Sequence, residues 1–107
     1  MDNIQEGKSA AIVGYVTIIG TLIAIFMNNE KKNSFAAFHI RQALGIFLSF
    51  HALGYFIGYF DSWTATRIFW LFFFILWLYG FIIVLKRVMK PLPLVGDFFQ
   101  KLFKNIG

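Results

Sequence analysis

The sequence predicts an all-α membrane protein with three transmembrane helices and a C-terminal interfacial amphipathic helix, forming a single membrane domain over residues 1–107. Three observations predict it. Residues 9–27, 43–60 and 68–85 are apolar runs without a single Lys, Arg, Asp or Glu, each long enough as a helix to cross roughly 30 Å of hydrocarbon. Composition agrees: 59% of residues are hydrophobic and only 14% are charged, which would leave a soluble chain of this size covered in apolar surface. Finally, the apolar residues are continuous rather than alternating, which favours helices over a β-barrel.

The first span, 9–27, comes after Asp2 and Glu6 rather than a basic region, and no small-residue cleavage site lies beyond it. It is therefore expected to be retained and not removed as a signal peptide. Along it Gly7, Gly14 and Thr21 recur at intervals of seven, with Ala10, Thr17 and Ala24 between them. On one continuous helix these form a seam of small side chains, either packing within the chain or docking a partner subunit. Asn28 and Asn29 close the helix, and residues 30–33 make a short charged turn. Ser34 is the expected N-cap of the second helix.

That second helix is expected to begin in the headgroup layer, because residues 34–42 mix Phe35, Phe38 and Ile40 with His39, Arg41 and Gln42. Within the span, Gly45, Ser49 and Ala52 mark one small face, and Gly54 and Gly58 form a Gly-x-x-x-Gly pair on the other. Two such faces suit a helix packed on both sides. Residues 61–67 form a polar turn with Thr64 or Thr66 as the cap. The third span is dense in Phe and Trp around Gly80 alone, which predicts the most lipid-exposed helix or an aromatic partner surface.

Lys86, Arg87 and Lys90 end the third helix, and Pro91 and Pro93 prevent its continuation. Over 94–106 the residues Val95, Phe98, Phe99, Leu102, Phe103 and Ile106 repeat with helical spacing. The helix is too short and too charged to span. It is expected to lie in the interface, with Lys101 and Lys104 toward phosphates, or alternatively in a groove of a partner or of the bundle.

Three spans put the first loop and the C-terminus on one side, with Lys31, Lys32, Arg41, Lys86, Arg87, Lys90, Lys101 and Lys104. Only Lys8 and Arg67 fall on the other. Lys and Arg are retained on the cytoplasmic face, which predicts a multi-pass protein of the inner (plasma) membrane with an external N-terminus and a cytoplasmic C-terminus. The net charge of +5 then reflects orientation and attraction to anionic lipids, with His39, Arg41, Lys86, Arg87, Lys90, Lys101 and Lys104 as headgroup contacts. Nucleic-acid binding is disfavoured, since the aromatic residues lie inside the apolar runs.

His51 is an ionisable group in the middle of a span and hence a candidate functional residue. It is either a proton relay or polar lining of a substrate path, or a hydrogen-bonded packing residue. His39 lies about 18 Å from it along the helix, so the two cannot share a metal. No catalytic, cofactor or metal site is expected: there is no cysteine, Ser9, Ser34, Ser49 and Ser62 are scattered in depth, and no phosphate loop or paired carboxylates occur.

The stretch Phe38-His39-Ile40-Arg41-Gln42-Ala43-Leu44, after a basic turn and a first span, resembles the entrance motif of the second helix in a superfamily of small membrane proteins. That superfamily includes the chloroplast inner-envelope import component Tic twenty and many bacterial relatives. Pro93-Leu94-Val95-Gly96 looks like the Pro-and-Gly element near the end of those proteins. The resemblance implies a helical-bundle membrane protein; protein translocation is the role proposed for the plastid branch, and the bacterial branch has no settled activity. The resemblance also implies four membrane helices, and here the fourth would be 95–106, which cannot cross, a departure that weakens a channel role. Together these features predict a non-enzymatic accessory or translocation-associated subunit that contacts other membrane subunits or itself. The alternative is a small self-associating transporter or channel with His51 on a polar path.

Overall fold

The computed structural model describes residues 3–106. It is all-helical, and two of its helices are long and apolar enough to cross a membrane. The elements in order are α1 (Asn3–Val16), α2 (Ile18–Asn29), α3 (Ser34–Ile57) running into a 3₁₀ turn (Gly58–Phe60), α4 (Trp63–Leu85) and α5 (Gly96–Leu102). The bundle is elongated, 50 × 23 × 22 Å.

The first apolar run is not the single helix expected over 9–27. It breaks at Thr17 into α1 and α2, which fold back on one another. At 14 and 12 residues they reach only about 21 and 18 Å, short of the ~30 Å a span needs. The local cause is the β-branched sequence Val16-Thr17-Ile18-Ile19, stiff at χ1 and crowded in a helix, with a good N-cap residue inside it. Thr17 adopts extended backbone, φ −154° and ψ 175°, and its hydroxyl accepts from the Gly20 amide. Gly20 is needed there, because a Cβ would strike the Val13 carbonyl oxygen.

A break inside an apolar run opens carbonyls that lack intrahelical partners. Here they are satisfied by side chains: the Thr21 hydroxyl donates to the Gly14 carbonyl at 2.7 Å, and the Trp77 indole N–H donates to the Tyr15 carbonyl at 2.6 Å.

The seven-residue seam is thus folded partly against itself and partly onto the start of α3. A Cβ on Gly14 would lie 3.5 Å from that of Ala24, Ala10 and Ala24 are buried, and Gly7 abuts Asn33 at the start of α3. Gly7, Ala10, Gly14, Thr21 and Ala24 pack within the chain, whereas Thr17 is exposed at the hairpin tip.

Because α1 and α2 form a hairpin, the start of α1 and the tail after α5 lie, among the described residues, at the same end of the bundle, together with the turn between α2 and α3. An N-terminus opposite the C-terminus requires three full spans, and that premise does not hold. The α3–α4 turn marks the far end. Asn33 caps α3 in place of Ser34, accepting from the Ala36 amide, and the Asn28 carboxamide holds the Asn33 backbone at both N–H and C=O. Ser62 caps α4 in place of Thr64 or Thr66. The far end of α4 closes on a Schellman pair, Arg87 N–H to Val84 and Val88 N–H to Ile83, with Arg87 left-handed at φ 62°.

Helix α3 is the central element. It contacts α1, α2, α4 and α5, and its buried residues run from Phe35 to Ile46, with none beyond. Gly45 seats the ring of Phe99, and Gly80 seats the ring of Tyr15, where a Cβ would come within 2.6 Å. By contrast Gly58 faces open space, so the Gly54/Gly58 face is not filled by another helix over its whole length. Gly80→Ala is expected to lower the unfolding midpoint in detergent by overpacking, about 1–3 kcal/mol, while Gly58→Ala leaves it unchanged or raises it through helix propensity. Equal effects of the two would contradict this packing.

Candidate functional site

The chemistry-bearing residues of the entrance motif converge on a buried polar clasp. On α3, His39 and Gln42 lie three residues apart and so share a face, and both are fully buried. Tyr15 reaches them from the last turn of α1, also fully buried. The segment after α4 closes the group from above.

The hydrogen bonds fix the protonation pattern. His39 Nε2 lies 2.8 Å from the Val88 carbonyl, which can only accept, so Nε2 carries the proton. Nδ1 is then the acceptor, and the Tyr15 hydroxyl, 3.3 Å away, donates to it. That hydroxyl accepts from Gln42 Nε2 at 3.4 Å, and Gln42 Oε1 accepts the Leu92 amide at 2.7 Å. A neutral imidazole completes the chain with each donor facing one acceptor. Leu92 sits between Pro91 and Pro93, which have no N–H, so its amide is the one donor of that tripeptide and Gln42 takes it. The imidazole is walled by the rings of Phe35, Phe38 and Tyr15, with centroids at 4.7, 5.2 and 5.9 Å.

Arg41 points to the tail. Its Nε donates to the Ile106 carbonyl at 2.9 Å, and its terminal nitrogens donate to the Lys104 carbonyl at 3.0 Å and to Gln100 Oε1 at 3.5 Å. Gln100 in turn donates to the Phe38 carbonyl at 2.8 Å. A guanidinium thus takes two backbone carbonyls in the turn beyond the end of α5.

His39 and Arg41 are therefore not the headgroup contacts expected from their position. One is sealed in the core and the other is engaged with backbone carbonyls of the same chain. Lys86, Arg87, Lys90, Lys101 and Lys104 remain exposed.

Helix α5 is shorter than the expected 94–106, and its apolar stripe divides. Phe99 is buried against Gly45 and Phe103 packs beside the core. Leu94, Phe98 and Leu102 face outward, at 91%, 61% and 58% exposure. The tail therefore both docks on the bundle and offers an apolar edge outside it.

His51 lies apart from the clasp. It is exposed and has no hydrogen-bond partner among the described residues; its ring meets the Phe50 ring edge-on. It borders a hollow of about 430 Å³ that also reaches Thr17 at the hairpin tip, Trp70 and Trp77. Tyr15, Gln42 and Trp77 are the structural residues that periodicity does not single out. The signal for Gln42 is its place in the motif; for Tyr15 and Trp77 it is only a polar atom on an otherwise apolar face.

The chain matches no family model, no curated protein and no solved structure.

Removing one partner of the clasp leaves buried polar atoms unsatisfied. Tyr15→Phe, His39→Leu and Gln42→Leu are each expected to cost about 1–3 kcal/mol, with pairwise coupling of about 0.5–3 kcal/mol in double-mutant cycles, measured by unfolding in detergent. Arg41→Gln is expected to speed tryptic cleavage after Lys101 and Lys104. An unchanged cleavage rate would show that Arg41 does not hold the tail.

Proposed function

We propose that this chain is a non-enzymatic integral protein of the inner (plasma) membrane, an accessory or translocation-associated subunit of a larger assembly. In this reading α3 and α4 cross the bilayer, the α1–α2 hairpin enters and leaves on one side, and α5 lies in the interface on that same side.

The observation that carries the reading is a division of labour among side chains. The polar groups of the entrance motif, His39, Arg41 and Gln42, are all engaged within the chain. The outward surface of α3 and α4 is apolar and aromatic, with Leu53, Tyr55, Phe56, Ile68, Leu71 and Ile75 each about half exposed or more. Such a surface suits lipid and neighbouring helices rather than a reacting substrate. The resemblance of residues 38–44 and 93–96 to the Tic-twenty-like superfamily supports a translocation context.

Charge supports the orientation. With the hairpin, Lys8 joins Lys31, Lys32, Arg41, Lys86, Arg87, Lys90, Lys101 and Lys104 at one end, and Arg67 alone occupies the other. This asymmetry favours both termini in the cytoplasm. The exposed lysines and Arg87 there would meet anionic headgroups, each adding about 1 kcal/mol of attraction near the surface.

The second reading, a self-associating transporter, draws on the unpaired His51 beside the hollow at the hairpin tip. The two differ at one substitution. His51→Leu leaves a packing or adaptor role intact and abolishes flux in a transporter.

Cysteines introduced at Lys8 and Lys104 are expected to resist an impermeant maleimide added to intact cells, while one at Ser62 reacts. Reaction at position 8 from outside would overturn the shared sidedness. Crosslinkers placed at Leu71 and Ile75 in native membranes are expected to trap a discrete heteromeric product, also in the His51→Leu variant; self-crosslinks alone would contradict the subunit reading.

A further inference from the structure

The hairpin stops partway along the bundle, and beyond its tip α3 and α4 stand without a third helix. The space left there is a continuous furrow. Its deep part, about 430 Å³, ends against Val16, Thr17 and Ile18. Through Phe50, His51 and Trp70 it joins a hollow of about 280 Å³. Through Ile57, Gly58 and Thr66 that hollow joins a third, about 230 Å³, at the far-end turn beside Asp61 and Ser62.

We propose that this furrow seats one acyl chain of a zwitterionic phospholipid from the far leaflet, with its headgroup at the mouth. Length selects such an occupant. From Gly58 to Phe47 the wall is eleven residues of helix, about 16 Å, and half of a ~30 Å hydrocarbon core is about 15 Å. The furrow is one leaflet deep and closed at its inner end. A spanning helix of a second copy would run on into the α1–α2 tip, whereas a lipid tail ends there.

The lining has the same gradient. The deep part is almost wholly apolar, with Phe47, Phe73 and Phe74 around the Thr17 hydroxyl and His51. Gly54 and Gly58 keep the outer wall low, and nothing stands within 4 Å of where a Gly58 side chain would begin.

At the mouth the charges complement a zwitterion. Asp61 supplies a carboxylate, Ser62 and Thr66 supply hydroxyls, and Arg67 extends over the Trp63 ring with its guanidinium carbon 5.5 Å from the centroid. Trp63 lines the mouth, so the guanidinium over its ring stands beside the opening without being part of the lining. An ammonium at Asp61 and a phosphate at Arg67 satisfy both charges, in an aromatic belt position typical of interfacial anchors.

This inference rests on the bilayer reading and not on the subunit role. The test uses the full chain in vesicles of phosphatidylethanolamine and phosphatidylglycerol, with a phosphatidylethanolamine carrying a diazirine at the end of one acyl chain. Insertion mapped by mass spectrometry is expected at Val16–Ile18 and Phe47, and several-fold less at the outward residues Leu71, Ile75 and Leu78. Gly54→Leu/Gly58→Leu is expected to lower insertion at the tip several-fold, and Asp61→Asn to reduce the preference for the amine headgroup in competition with phosphatidylglycerol. Even labelling around α3 and α4 of the wild-type chain overturns the proposal whether or not the filled variant folds, and so does an unchanged headgroup preference. Failure of the wild-type chain to float with the vesicles would instead overturn the bilayer reading itself.

Discussion

A helix broken in apolar surroundings must find partners for the carbonyls it opens, and the rest of this molecule is arranged around that requirement at Thr17. The Gly14 carbonyl is met by Thr21 and the Tyr15 carbonyl by Trp77, so α2 and α4 are each tied to the end of α1 by a hydrogen bond that satisfies a backbone carbonyl among apolar side chains. The same turn carries the Tyr15 side chain to α3, where its hydroxyl joins His39 and Gln42, while its ring fills the notch at Gly80. One backbone break thus couples four helices.

The clasp extends this coupling to the tail. Val88 and Leu92 are held by His39 and Gln42, Gln100 by the Phe38 carbonyl, and residues 104 and 106 by Arg41. A stretch of α3 only five residues long therefore holds the whole segment after α4. A motif at the entrance to a helix reads most simply as a surface feature; here its short spacing serves to present successive side chains to α1, to the Pro-Leu-Pro segment and to α5.

Helical class, the positions of α3 and α4, the Asn28–Asn29 terminus and the proline stop are legible in the sequence because they depend on apolar continuity and on residues with strong local preferences. The hairpin is not, since an uncharged run of this length satisfies the criterion for a span whether or not it bends. The clue to it is local: four β-branched residues in succession, a Thr able to cap, and Gly20 one turn into α2. The seven-residue recurrence of small residues does mark a packing surface, but it faces the other half of the same run as well as the first turns of α3. Depth alone places His39 and Arg41 at the headgroups, because sequence gives depth and not direction; the tail that covers them lies about fifty to sixty-five residues away. His51, by contrast, keeps its face open.

Packing is consequently uneven along the long axis. The end holding the start of α1 and the tail has four helices around α3 and a satisfied polar core, while the far half is a two-helix hairpin with an open seam. That asymmetry gives the proposed function its shape: a rigid half that fixes the tail, and a far half whose apolar surfaces are left to lipid and neighbours. The most direct test is the distance between spin labels at Ser9→Cys and Asn29→Cys in bilayers, feasible because the chain has no native cysteine. Packed antiparallel helices put the two backbones about 8–10 Å apart; a distance near the ~30 Å of twenty residues of unbroken helix would contradict the hairpin and everything built on it.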